Sequence, residues 1–151
     1  MTFQYDAYVT ATLFGKAGAA AFALGDGTVR FETGETIEAH DGAILSACAH
    51  PSGEGVITGG DDGRVVWSRV SGAEEIAKVP GRWIDGVAAN AESKLIAFSA
   101  GRELHVRDAA DPKFTRTFSH EKSVADVVFD PKGRRIAAAT YNGAWLWYAK
   151  I

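Results

Sequence analysis

A chain of 151 residues, 46% of them hydrophobic, has the length of one modest domain and enough apolar content for a core. Its 16 Lys and Arg against 19 Asp and Glu leave a net charge of −3, which gives no electrostatic footprint for nucleic acid or for an anionic membrane. No run of 18 apolar residues is present and Met1 to Asp6 lacks the basic and apolar regions of a signal peptide, so neither a spanning helix nor a leader is expected. Four groups of short runs with β-type chemistry then follow one another, separated by turns that draw on 17 glycines. The first group reads as strands at Tyr8–Phe14, Ala20–Leu24, Thr28–Glu32 and Thr36–Ala39. The second reads as Ile44–His50, Val56–Thr58, Arg64–Ser68 and Glu75–Val79, and the third as Ile84–Asn90, Leu95–Ser99, Glu103–Arg107 and Lys113–Ser119. The fourth has three strands, Val124–Asp130, Ile136–Thr140 and Ala144–Tyr148, and no segment shows helical periodicity.

These groups are copies of one unit. Phe31, Trp67, Val106 and Trp147 each end a third strand just after a turn, at separations of 36, 39 and 41 residues. His40, Ile44, Pro51, Gly53, Val56, Gly63 and Trp67 recur 80 residues later as His120, Val124, Pro131, Gly133, Ile136, Gly143 and Trp147. The third unit has Ala91 in place of the proline and Gly101-Arg102 in place of the Asp-Gly turn, and the first keeps little beyond Asp26-Gly27 and Phe31. A period of roughly 40 with strand-turn-strand content is the signature of propeller blades. The third strands alternate as Val29/Phe31, Val65/Trp67, Leu104/Val106 and Trp145/Trp147, which places each pair on one sheet face, to be buried between stacked blades. Turns at Asp26-Gly27, Asp62-Gly63 and Asn142-Gly143 suit positive φ.

The run from His120 through Phe129-Asp130-Pro131-Lys132-Gly133 to Ala137, and that from His40 through Gly59-Gly60-Asp61-Asp62-Gly63, resemble the WD-repeat family. The resemblance implies an all-β propeller over residues 1–151, with blades at about 8–39, 44–79, 84–119 and 124–148. The family's Trp-Asp pair is absent at the end of the third strands: Glu32, Ser68, Arg107 and Tyr148 stand at that tryptophan position, and Asp108 alone survives as the aspartate. The family's hydrogen-bonded tetrad of His, Ser/Thr, Asp and Trp is therefore incomplete in every blade. The resemblance further implies a rigid, non-catalytic platform for protein partners.

The fourth blade lacks an outer strand. Thr2, Phe3, Gln4 and Tyr5 have strand-forming chemistry and are candidates to supply it and close the ring. Three arrangements satisfy this: a closed four-bladed monomer, an eight-bladed homodimer of half-rings, or the front half of a longer propeller. An eight-bladed ring, from two chains or from two halves of a longer one, is preferred over the four-bladed monomer, because blades near this length usually form larger rings, and an open half-ring would expose apolar faces and a strand edge.

Binding residues are expected on the face that joins the second-to-third-strand turns with the connections entering each first strand. That face groups Asp26, His40, Asp61, Asp62, Arg82, Trp83, Arg102, His120, Tyr141 and Asn142. Arg82, Trp83, Arg102 and Tyr141 have the chemistry of interface anchors, with Asp61, His40 and His120 beside them. Asp62 and Asn142 read as turn residues, Trp83 has a packing role as its plainer reading, and the two histidines read as bonding their blades' turns rather than as metal ligands. Cys48 is the lone cysteine and sits in the apolar run Ile44 to Ala49, so it reads as a small buried hydrophobe, and a reducing, cytoplasmic setting is the expectation. No Gly-x-Ser-x-Gly elbow, phosphate loop or convergent ligand set is visible, so no enzyme activity, cofactor or metal is expected. The rival readings are a propeller enzyme with a channel metal, and a purely structural fragment whose only partner is itself.

Overall fold

A computed structural model describes residues 1–150. Fifteen strands and no helix appear among them. The first sheet holds β1 (Val9–Phe14), β2 (Ala20–Leu24), β3 (Thr28–Phe31) and β4 (Thr36–Glu38). The second holds β5 (Ile44–Ala49), β6 (Val56–Gly60), β7 (Arg64–Arg69) and β8 (Gly72–Lys78), where β8 starts earlier than its alternation suggests because Gly72 closes a tight hairpin onto Arg69. The third holds β9 (Ile84–Asn90), β10 (Leu95–Ala100), β11 (Glu103–Asp108) and β12 (Thr115–Ser119), and the fourth β13 (Asp126–Phe129), β14 (Arg135–Ala139) and β15 (Ala144–Tyr148). Every sheet is an antiparallel meander in chain order. These are the four blades.

The blades stack through their first strands. β1 packs on β5, β5 on β9 and β9 on β13, and among the described residues no comparable packing returns β13 to β1. Three apolar seams result. The first joins Ala21, Ala23, Val29 and Phe31 to Ile44, Val56 and Val66. The second joins Ile57 and Val65 to Ile84, Ile96 and Phe98. The third joins Leu95, Ala97, Leu104 and Val106 to Val124, Val127, Ile136 and Ala138. Strand alternation makes this possible: in β7, Val65 enters the second seam and its neighbour Val66 the first, so a middle blade is apolar on both faces. Gly59 shows how close the sheets come, since a Cβ there would lie 2.5 Å from Ile84 Cγ2 and 2.9 Å from its carbonyl oxygen.

A ring of four blades needs four seams. With three, the chain is an open fan, and the closed four-bladed monomer does not describe it. The segment Thr2–Tyr5 also departs from expectation. It forms no strand and pairs with no sheet. Phe3 and Tyr5 instead lie against Phe22 on the outward face of blade 1, at ring-centroid separations of 5.4 and 6.2 Å, and Arg30 sits 5.1 Å over the Tyr5 ring. In a single chain β15 is out of reach, and covering Phe22 is the nearest way to remove those aromatic rings from water.

Blade 4 contains a second departure. In blade 2, Val56 pairs with Ser68 and Ile57 with Trp67. In blade 4, Ile136, the repeat mate of Val56, pairs with Trp147, one residue out of register. The hairpins explain the slip. The blade 2 loop contains Asp61, Asp62 and Gly63, with Gly63 at φ +78°. The blade 4 loop is shorter: the Thr140 N–H bonds the Gly143 carbonyl at 2.9 Å, and Gly143 is not in the left-handed region. A one-residue slip turns every side chain to the other face. Val29/Phe31, Val65/Trp67 and Leu104/Val106 point toward the following blade, but Trp145 and Trp147 turn back toward blade 3, where Trp147 stacks on Phe118 at 4.5 Å. Among the described residues no sheet lies in front of blade 4, and in this register a tryptophan is covered by Phe118.

Candidate interaction rim

One rim of the fan is built by the β2–β3, β6–β7 and β10–β11 hairpins and the connections between blades. Each connection is stapled to a hairpin by backbone bonds. The His40 N–H bonds the Gly27 carbonyl at 3.0 Å, the Val79 N–H the Gly63 carbonyl at 2.8 Å, and the Val124 N–H the Gly101 carbonyl at 2.8 Å. A side chain at Gly63 would meet the Val79 carbonyl at 2.4 Å, so both the positive φ and the close approach require glycine there. The β14–β15 hairpin joins the same rim, because the Ala125 N–H at the start of blade 4 bonds the Ala139 carbonyl at 2.8 Å.

His40 is buried under this rim. Its Nδ1 lies 3.0 Å from Asp62 Oδ1 and its Nε2 2.7 Å from Thr58 Oγ1. An ionised carboxylate only accepts, so Nδ1 carries a proton, and Nε2 is paired with the threonine hydroxyl. Asp62 also accepts from the Asp41 N–H at 3.0 Å and the Arg64 N–H at 3.1 Å, and Arg64 lies 3.8 Å away. Burial alone would raise the Asp62 carboxyl, but the bonds from His40, Arg64 and Asp41 together hold it below the ordinary value of 3.8. Three members of the family tetrad are thus assembled in blade 2, with Ser68 in the tryptophan's place. Asp62 is more than the turn residue expected from the sequence, and Thr58 gains a role that strand alternation alone does not suggest. Their signal was present in the Thr58 … Asp62 spacing behind His40.

His120 is buried at the equivalent position but makes different bonds. Its Nδ1 donates to the Arg102 carbonyl at 3.1 Å, and Trp147 Nε1 donates to its Nε2 at 3.0 Å. Ala138 and Asn142 stand where blade 2 has Thr58 and Asp62, so the ring finds its partners elsewhere. Both nitrogens of His40 and of His120 are therefore engaged inside the fold. As members of a binding face these two residues are corrected to supports beneath it.

Arg82, Trp83, Arg102 and Tyr141 are exposed on the rim, as are Asp26, Asp41 and Asn142, with Asp61 half-buried. Arg82 lies across the β10–β11 hairpin, where a Cβ on Gly101 would stand 3.0 Å from its Cδ and Nε. Asp61 leans on Gly42 in the connection before β5. Trp83 is 62% and Tyr141 90% exposed. The packing role considered for Trp83 is not what the structure shows. Two cations and two aromatic rings on stapled, short loops form a surface suited to a protein partner. Cys48 fits the bland reading: it packs on the second seam, and burial of its sulfur pushes the thiol up to about 12, although part of the residue's surface stays accessible.

The far rim holds a stack that the sequence did not reveal. Trp67 lies between His50, 3.7 Å away and nearly parallel, and the Arg69 guanidinium, 3.8 Å over the ring. Burial lowers the His50 pKa, with the Arg69 charge adding to it, and burial likewise lowers that of His105, which stacks on Phe98. A histidine whose folded pKa is depressed stabilises the fold fully above its unfolded value of 6.5 and less as pH falls below it. Urea titrations at pH 7.5 and 5.5 are therefore expected to give the lower midpoint at pH 5.5, and a higher one would contradict the assignment.

An open stack of four-stranded meanders radiating from their first strands, with a stapled rim of loops, defines a β-propeller segment. The family model for the WD domain, G-beta repeat, matches residues 32–67 and 112–147, two stretches related by the same 80-residue shift that relates His40 to His120. The two matched stretches and the bladed fold are consistent with a WD-repeat family. No curated protein matches the chain.

Proposed function

We propose that the chain is a non-catalytic interaction scaffold that works as half of an eight-bladed ring closed by a second copy. WD repeats generally serve protein–protein scaffolding, and the finer claim rests on blade 4. Its outward face carries Val128, Leu146 and Tyr148 at 56, 68 and 57% exposure, beside Ala137 and Ala139. Apart from Asp126 and Arg135 at its ends, that face is apolar like those that fill the three seams, yet among the described residues nothing covers it and β15 is an unpaired edge. Exposed apolar faces and strand edges of this kind are normally partnered. In the ring, blade 4 of each copy packs on blade 1 of the other, and Thr2–Tyr5 leaves Phe22 to become the missing outer strand. The closed ring then presents Arg82, Trp83, Arg102 and Tyr141 on one face to a protein partner.

Sedimentation distinguishes the states. The expected species is about 32 kDa, twice the 16.0 kDa chain. Leu146→Asp combined with Tyr148→Asp is expected to return it to 16.0 kDa. A monodisperse single chain in the unaltered protein would defeat the half-ring.

A further inference from the structure

The far rim contains a cavity of about 580 Å³ between blades 1 and 2. Its floor is apolar: Ala21, Phe31 and Val56 belong to the first seam. Its walls are two turns locked to each other, because the Lys16 N–H bonds the Gly53 carbonyl at 3.1 Å and the aliphatic stem of Lys16 lies across Gly53, which has no side chain to block it. The volume and apolar lining fall in the range of preformed small-molecule sites.

The polar groups at its margin are mostly cationic. Lys16 and Arg69 both line it, against the single exposed carboxylate of Glu54. Among the described residues Lys16 has no carboxylate partner. Arg69 is held in place by its stack on Trp67, but its Nε is buried with no hydrogen-bond partner among the described residues, and its one ion pair, to Glu74, is long at 3.5 Å. A guanidinium held over an indole is positioned to take a planar carboxylate through two parallel bonds.

We propose that this cavity binds a free amphipathic monocarboxylate, with its apolar body on Ala21, Phe31 and Val56 and its carboxylate between Arg69 and Lys16. The site lies at the turns opposite the stapled rim and needs neither ring closure nor a protein partner, so it stands independently of the proposed function.

Octanoate is the probe, titrated into the full chain and followed by amide NMR shifts, with octylamine and octanol as controls of matching length. Saturable shifts centred on Lys16, Gly53 and Val56 are expected for octanoate, with at least about tenfold weaker binding of both controls. Arg69→Met keeps much of the stem's packing and is expected to weaken octanoate by about tenfold or more. Lys16→Met, on an exposed turn, gives a second variant with no cost to the core and should weaken it in the same direction. Absence of saturation, equal binding of octanol or octylamine, or undiminished octanoate affinity in both variants would overturn the proposal.

Discussion

Asp62→Ala is expected to lower the free energy of unfolding by about 2–3 kcal/mol, a large effect for a residue on a surface hairpin. The reason is what it leaves behind. His40 has a fully buried side chain, and its Nδ1–H would lose its only acceptor, along with the Asp41 and Arg64 N–H groups. Asp62→Asn keeps one acceptor oxygen and should lose clearly less. Urea unfolding of both variants beside His40→Ala and the double variant measures the coupling directly. Equal, small losses for the Asn and Ala variants would mean that the His40–Asp62–Thr58 unit does not hold the rim together. The same experiment bears on function, because Asp61, Arg82 and the neighbouring connections are positioned by the hairpin that this unit anchors.

Phe98→Ala is expected to cost more, about 3–5 kcal/mol. Phe98 is fully buried in the second seam and carries His105 stacked 4.8 Å away at a 3° interplanar angle. Removing the ring leaves a cavity between blades 2 and 3 that stiff, twisted sheets cannot collapse to fill. It also strips one wall from His105, so the depressed pKa of that histidine should move back up toward 6.5. Thermal or urea unfolding reads the first effect, and NMR titration of the His105 ring reads the second. A loss under about 1 kcal/mol would show that the seams are looser than their packing implies.

The blades were legible because their cause is local. Alternation within a strand and a glycine-bearing turn between strands depend on residues a few positions apart, so Val29/Phe31 or Leu104/Val106 announce a buried face wherever they end up. The exposed rim residues Arg82, Trp83, Arg102 and Tyr141 were legible for the same reason, since their loops follow from the strand count. His40 and His120 do bond their blades' turns, as their repeat position suggests, but they lie buried beneath the contact face rather than on it. Whether a histidine is exposed depends on partners from other strands, and here those are Thr58 and Asp62 in one blade and Arg102 and Trp147 in the other. The Trp67 stack and the cavity beside it draw on His50, Arg69 and Lys16, residues that no spacing rule relates.

The slip in blade 4 marks the boundary between the two kinds of information. Trp67 and Trp147 occupy the same place in the repeat, and by sequence they are equivalent. Their side chains face opposite ways: Trp67 has blade 3 in front of it, whereas among the described residues Trp147 finds its cover in Phe118 behind it. By itself the sequence determined the number of strands, their order in each sheet and the period that stacks them, since each follows from short-range alternation and turns. Only the tertiary structure decided how many seams are made, where Thr2–Tyr5 lies and which way the last tryptophans point. Those outcomes depend on which apolar surface is available to cover another, and that is a property of the assembled blades rather than of any one of them.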